Sequence, residues 1–142
     1  MLDLFISVLL TFEHKVLEVE ARNTFLCLGI TVGFVKISPK VREKLQKMID
    51  WYFFRSEYKQ KFVVLIVDGS LGLTDLDMEM LFALEQAQKN VIVVANKIDK
   101  IKKSEYEKQI EEIQFQVGNH TMIPYSAEKK IGVGELAAML LK

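Results

Sequence analysis

A chain of 142 residues, 50% of them hydrophobic, with 19 basic and 19 acidic side chains, has the composition of one globular domain. At this length roughly 68–70% of the unfolded surface is buried on folding, so the core needs no disulfide or metal staple, and Cys27 cannot form an intrachain bridge by itself. A formal charge of zero excludes retention on nucleic acid or anionic lipid by overall charge, and the cysteine usage fits a reducing, cytoplasmic setting.

The apolar stretch Leu4–Phe12 follows Asp3, lacks a basic leader and is far shorter than the roughly 20 residues that span a bilayer. Neither a signal peptide nor a membrane association is expected. Leu4–Phe12 and Thr24–Ile37 are apolar enough for two strands, a hairpin being one arrangement, whereas Glu13–Asn23 is charged and offers neither a tight turn nor a helix. Ser38-Pro39 reads as an N-cap followed by proline at the first helical position, and Val41, Leu45, Met48, Ile49 and Tyr52 recur at helical spacing to about Arg55. Phe62–Val67 is a continuous, β-branched apolar run, expected as a strand covered on both faces. The turn Asp68-Gly-Ser-Leu-Gly72 leads to Thr74-x-x-Asp77, a capping box that opens a helix through Leu76, Met80, Leu81, Leu84 and Ala87. Val91–Ala95 repeats the buried-strand pattern. A charged helix from about Ser104 to Gln114, a short strand at Met122-Ile123 and a last helix from Gly134-Glu135-Leu136 complete the order. Strands and helices in alternation imply right-handed βαβ units and an α/β fold with a mostly parallel sheet. In such sheets ligands bind beyond the carboxyl ends of the strands.

The loop after the second buried strand is Asn96-Lys97-Ile98-Asp99. Asn-Lys-x-Asp in this place resembles the guanine-recognition element of Ras-like GTP-binding proteins, and the chemistry is legible. Guanine presents two adjacent donors, its ring N–H and its exocyclic amino group, and one carboxylate can accept both in charge-assisted bonds. Asp99 is the candidate. Adenine lacks that donor pair and leaves the carboxylate unpaired, which rejects it. Asn96 would pin neighbouring loops through its amide, and the alkyl stem of Lys97 would lie along the base plane. Ser126-Ala127-Glu128 follows the next short strand, with Ser126 placed 27 residues after Asp99. In GTP-binding folds a Ser-Ala loop here supplies a backbone N–H to the guanine carbonyl, so a small Ala127 suits close approach.

Taken together, Gly33–Ser38, Val41–Arg55, Val63–Leu81, Asn96–Asp99 and Pro124–Leu136 resemble the bacterial GTP-binding proteins of the EngB (YsxC/YihA) type over about residues 33–142. The resemblance implies a Ras-like (P-loop NTPase) three-layer sandwich, binding of GTP or GDP with magnesium, and a role in assembly of the large ribosomal subunit and in cell division and septation. It implies the ribosome or its RNA as a partner beside guanine nucleotide. The sequence departs from the family at its amino-terminal part. Gly-x-x-x-x-Gly-Lys-Ser/Thr, which cradles phosphates, does not occur in it. Where the family carries Asp-x-Pro-Gly, this chain has Leu28, Ile30 and Thr31. The phosphate-loop part of the fold is therefore expected to be missing, nucleotide binding to be weak or lost, and hydrolysis to be negligible. Residues 1–32 are expected to be a divergent segment, for which a reading-frame slip or an alternative start is one explanation. A nucleotide-independent α/β interaction module that binds a protein or ribosomal partner is the alternative.

Other features have ordinary readings. Gly69–Thr74 is expected as a strand-to-helix turn rather than an anion nest. Trp51–Phe54 is expected to pack partly into the core, and Lys97, Lys100, Lys102 and Lys103 to form a solvated basic face. His14 and His120 lack metal-ligand spacing, and Cys27 reads as a small buried hydrophobe.

Overall fold

The computed structural model describes residues 9–10, 26–30, 50–55 and 62–140, together with Lys40, Glu43 and Lys47. Strands β1 (Leu9–Leu10) and β2 (Leu26–Ile30) precede a π-helical turn at Trp51–Arg55. β3 (Val63–Asp68), α1 (Asp75–Gln86), β4 (Val91–Asn96), α2 (Tyr106–Val117), β5 (Thr121–Pro124) and α3 (Val133–Leu140) follow, with a 3₁₀ turn at Ile98–Lys100. The strands form one sheet in the order β1-β2-β3-β4-β5, and every pairing is parallel.

β1 and β2 are not a hairpin. Leu9 pairs with Gly29 in parallel register, a geometry that a tight turn cannot connect. Lys40, Glu43, Lys47 and Asp50 are helical, in agreement with the helix expected before Arg55, and Lys47 pairs with Glu43 at 3.0 Å across one turn. The expected Ser38 cap, the apolar positions Val41, Leu45, Met48 and Ile49, and His14 lie outside the described residues, as does most of the segment 1–32.

The buried-strand expectation is met at β3 and β4, whose side chains alternate between two cores. Val63, Leu65, Val67, Val91, Val93 and Ala95 pack against Met80, Leu81 and Leu84 of α1 and Ile113 and Val117 of α2. Val64, Ile92, Val94 and Ile123 pack on the opposite face against Tyr125 and α3 residues Leu136 and Leu140. Helix, sheet and helix make three layers. Among the described residues no helix is long and apolar enough to cross a membrane.

The capping box at α1 forms in both directions. Thr74 Oγ1 accepts the Asp77 N–H at 3.2 Å, and Asp77 Oδ2 accepts the Thr74 N–H at 2.8 Å. Burial pushes the Asp77 carboxyl above its ordinary 3.8, the Thr74 hydrogen bonds pulling it back and Asp68 adding to the rise. A raised folded value means that this group's contribution to stability is full below 3.8 and is lost as pH climbs through the folded value. Asp77→Asn keeps an oxygen for Thr74 and removes the charge. Its melting temperature relative to wild type should therefore rise as pH increases from below 3.8, measured by thermal melts across the acid range.

Because the strands run in parallel, their carboxyl ends share one rim, where Asp68 stands opposite Asn96 and Ala95 opposite Pro124. Gly69 starts the first rim loop, its N–H donating to the Asn96 carbonyl at 2.6 Å. A Cβ at residue 69 would stand 2.8 Å from that same carbonyl oxygen, so only glycine permits the approach. Gly69→Ala should cost about 1–3 kcal/mol in a denaturant titration, the usual penalty for forcing a methyl into filled space.

Candidate functional site

Two rim loops meet at the ends of β4 and β5. Lys97 takes the left-handed conformation, φ 65°, which turns the chain sharply from β4 into the 3₁₀ turn. Ile98 is buried there, and its N–H donates to the Tyr125 carbonyl at 3.2 Å. This anchor leaves Asn96, Lys97 and Asp99 at the rim, all partly exposed.

The second loop is tied back on itself. Ser126 exchanges backbone hydrogen bonds with Ile131, each at 3.0 Å, and its Oγ accepts the Lys129 N–H at 3.0 Å. Gly132 closes the loop at φ 80°, and a Cβ there would run into the Pro124 carbonyl oxygen.

Side chains lock the loops together. Ser126 Oγ–H, fully buried, donates to Asp99 Oδ1 at 2.7 Å, and the Ala127 N–H donates to Asn96 Oδ1 at 3.1 Å. Asn96, Asp99, Ser126 and Ala127 are thus brought into one constellation, with Glu128 exposed on its margin. The Asn96 side chain thus reaches across to the neighbouring loop. The Ala127 N–H, which the resemblance assigns to a guanine carbonyl, is donated to Asn96. A partly buried backbone donor takes an acceptor from the protein where one is in reach. Of the Asp99 carboxylate, Oδ1 has a protein partner and Oδ2 has none among the described residues, which leaves acceptor capacity on the carboxylate.

Lys97 has a partner that periodicity does not reveal. Its Nζ lies 3.3 Å from Asp68 Oδ2, the lysine side chain 43% exposed and the aspartate 9%. The basic face therefore reduces to Lys100, Lys102 and Lys103, all exposed. His120 pairs with Glu85, Nε2 to Oε1 at 2.7 Å, and so ties the approach to β5 to α1. The Gly69–Thr74 segment is a strand-to-helix turn in which Ser70 N–H and Oγ–H both donate to Asp68 Oδ1.

A parallel sheet between two helical layers, with Asn-Lys-Ile-Asp ending one strand and Ser-Ala-Glu after the next, has the layout of a Ras-like GTP-binding domain. The family model of the elongation factor Tu GTP binding domain matches residues 54–142. The probable GTP-binding protein EngB of Thermosipho africanus is 31% identical over 109 residues, 76% of this chain and 56% of that protein. The corresponding protein of Exiguobacterium sibiricum is 39% identical over 104 residues, 71% of this chain and 53% of its own length. A crystal structure of a probable EngB GTP-binding protein superposes with a TM-score of 0.62 at 21% identity, covering 75% of this chain and 68% of that one, which supports the shared fold. The chain belongs to the family of the elongation factor Tu GTP binding domain, and it is similar to GTP-binding proteins of the EngB type. It spans little more than half the length of the two EngB relatives.

Proposed function

We propose that this chain binds the guanine base of GTP or GDP at the junction of its two locked loops. Asp99 accepts the paired donors of the base, and Asn96 and Ser126 hold the loops in register. Lys97 lines the base plane, and the Ala127–Glu128 backbone faces the guanine carbonyl. The observation that supports this most is the pair of cross-loop hydrogen bonds, Ser126 to Asp99 and Ala127 to Asn96, which present a carboxylate at the rim in a fixed pose.

Charge-assisted bonds contribute about 1.5–3 kcal/mol each, so two correspond to dissociation constants from millimolar to about tens of micromolar. Tighter binding and hydrolysis draw on phosphate contacts, and the chain's own sequence supplies no Gly-x-x-x-x-Gly-Lys-Ser/Thr and no Asp-x-Pro-Gly. Turnover by this chain is therefore proposed to be little or none. Magnesium, a part in large-subunit ribosome assembly and in cell division and septation, contact with ribosomal RNA and a cytoplasmic location are proposals that follow the EngB resemblance. The same holds for a family part that starts near Gly33.

A thermal-shift titration with GDP, GTP and ATP at millimolar concentration tests the reading. Stabilisation by both guanine nucleotides and not by ATP is expected. A second reading, a nucleotide-independent interaction module for a protein or ribosomal partner, draws on Phe82 of α1 and Phe115 of α2, exposed 62% and 89% on the helical layer. Equal, negligible shifts with all three nucleotides would favour it.

A further inference from the structure

β3 ends in a carboxylate that base recognition leaves unused. Asp68 is only 7% exposed, a setting in which a carboxylate persists when its oxygens have partners. Its Oδ1 accepts the Ser70 N–H at 2.9 Å and the Ser70 hydroxyl at 2.6 Å. Its Oδ2 faces Lys97 Nζ at 3.3 Å. The residue is held by the sheet through its register pairing with Asn96, and the next peptide is gripped twice. Gly69 N–H donates to the Asn96 carbonyl at 2.6 Å, and Gln109 Nε2 of α2 donates to the Gly69 carbonyl at 3.1 Å. The carboxylate is the fixed end of the ion pair. Lys97 is the adaptable end, a half-exposed side chain on a residue in the left-handed region that non-glycine residues rarely occupy.

We infer that Asp68 is a positioning residue of the guanine site and acts on the ligand through Lys97. By tethering the ammonium to the sheet rim it lays the lysine's alkyl stem beside Asp99, as a wall for the purine plane. This rests on the base-binding reading above. An apolar stem packs against a purine whatever its exocyclic groups, whereas Asp99 reads those groups. Asp68 therefore sets affinity for any purine that docks, and Asp99 sets which purine is preferred.

Calorimetric titration of the whole chain with GDP, and with IDP, whose base lacks the exocyclic amino group, separates the two roles. Asp68→Asn keeps the size of the side chain and an oxygen for Ser70 while removing the charge that holds Lys97. It should weaken GDP and IDP alike, by about fivefold, the effect of losing a half-exposed ion pair, and leave their ratio unchanged. Lys97→Met should do the same, and the double variant should be no weaker than the worse single one, since both break one contact. Ser70→Ala, which removes only the hydroxyl bond to Asp68, should lower the melting temperature without changing the affinity ratio. Should Asp68→Asn not fold, Lys97→Met at the exposed end carries the test alone.

Wild-type affinity for GDP retained in Asp68→Asn or Lys97→Met, or additive losses in the double variant, would overturn the inference while base binding stands. A wild-type chain that does not prefer GDP over ADP would overturn base binding and the role of Asp68 with it.

Discussion

Asp99→Ala is expected to abolish the distinction between guanine and adenine nucleotides. Two charge-assisted hydrogen bonds at about 1.5–3 kcal/mol each disappear together, which corresponds to a loss of about 10²–10⁴ in affinity for GDP. The fold should survive, because Asp99 is partly exposed and its protein partner is the hydroxyl of Ser126, which keeps the Lys129 N–H. Unpairing that hydroxyl costs about 1 kcal/mol, visible as a small drop in melting temperature without nucleotide. Asp99→Asn sharpens the test. An amide offers one acceptor and one donor, so it suits a base with a ring N–H beside a carbonyl, as in xanthine. Calorimetry should show GDP binding lost and xanthosine diphosphate binding gained. Retained GDP preference in Asp99→Ala would place the base elsewhere.

The largest expected effect on stability lies one layer beneath the rim. Leu65 is fully buried in β3, between strands β2 and β4 and under the helices α1 and α2. Leu65→Ala removes the transfer energy of the side chain and leaves a cavity that flanking strands cannot close, since both are held in register by the ladder. The cost should be about 2–5 kcal/mol. Against a total stability of about 5–15 kcal/mol this is a large fraction, and a denaturant midpoint measured at constant slope will show it. Because the rim loops hang from β3, β4 and β5, nucleotide binding should weaken only in proportion to the unfolded population. A stable Leu65→Ala chain would mean that β3 is not the centre of the sheet.

How far the sequence reveals the molecule depends on where the information resides. β3 and β4 are plain because strands buried on both faces must be apolar at every position, and the capping box of α1 is plain because it is local. The end of α2 falls three residues later than its charge pattern suggests. Val117 extends the apolar stripe into the core, and Gly118, at φ 70°, stops the helix with its N–H on the Gln114 carbonyl. That glycine was the available stop signal. The parallel pairing of β1 with β2 could not be read, since Glu13–Asn23 carries no periodicity to announce a crossover.

The constellation divides in the same way. Asn96, Lys97, Asp99, Ser126 and Ala127 stand out because two short motifs follow two short strands, and the structure brings them within hydrogen-bond reach of one another or of the rim. Asp68 and Gln109 do not stand out, because their partners come from tertiary contact at separations that periodicity ignores. A faint signal exists for Asp68: a carboxylate directly after five buried or half-buried strand residues, followed by Gly-Ser, favours a turn that holds the acid inward.

The most direct measurement is a two-dimensional amide NMR titration of the chain with GDP, using ADP as the control. Binding as described shifts the amides of residues 96–100 and 126–129 with GDP and leaves them in place with ADP. Shifts confined to another part of the sheet, or identical responses to GDP and ADP, would contradict it.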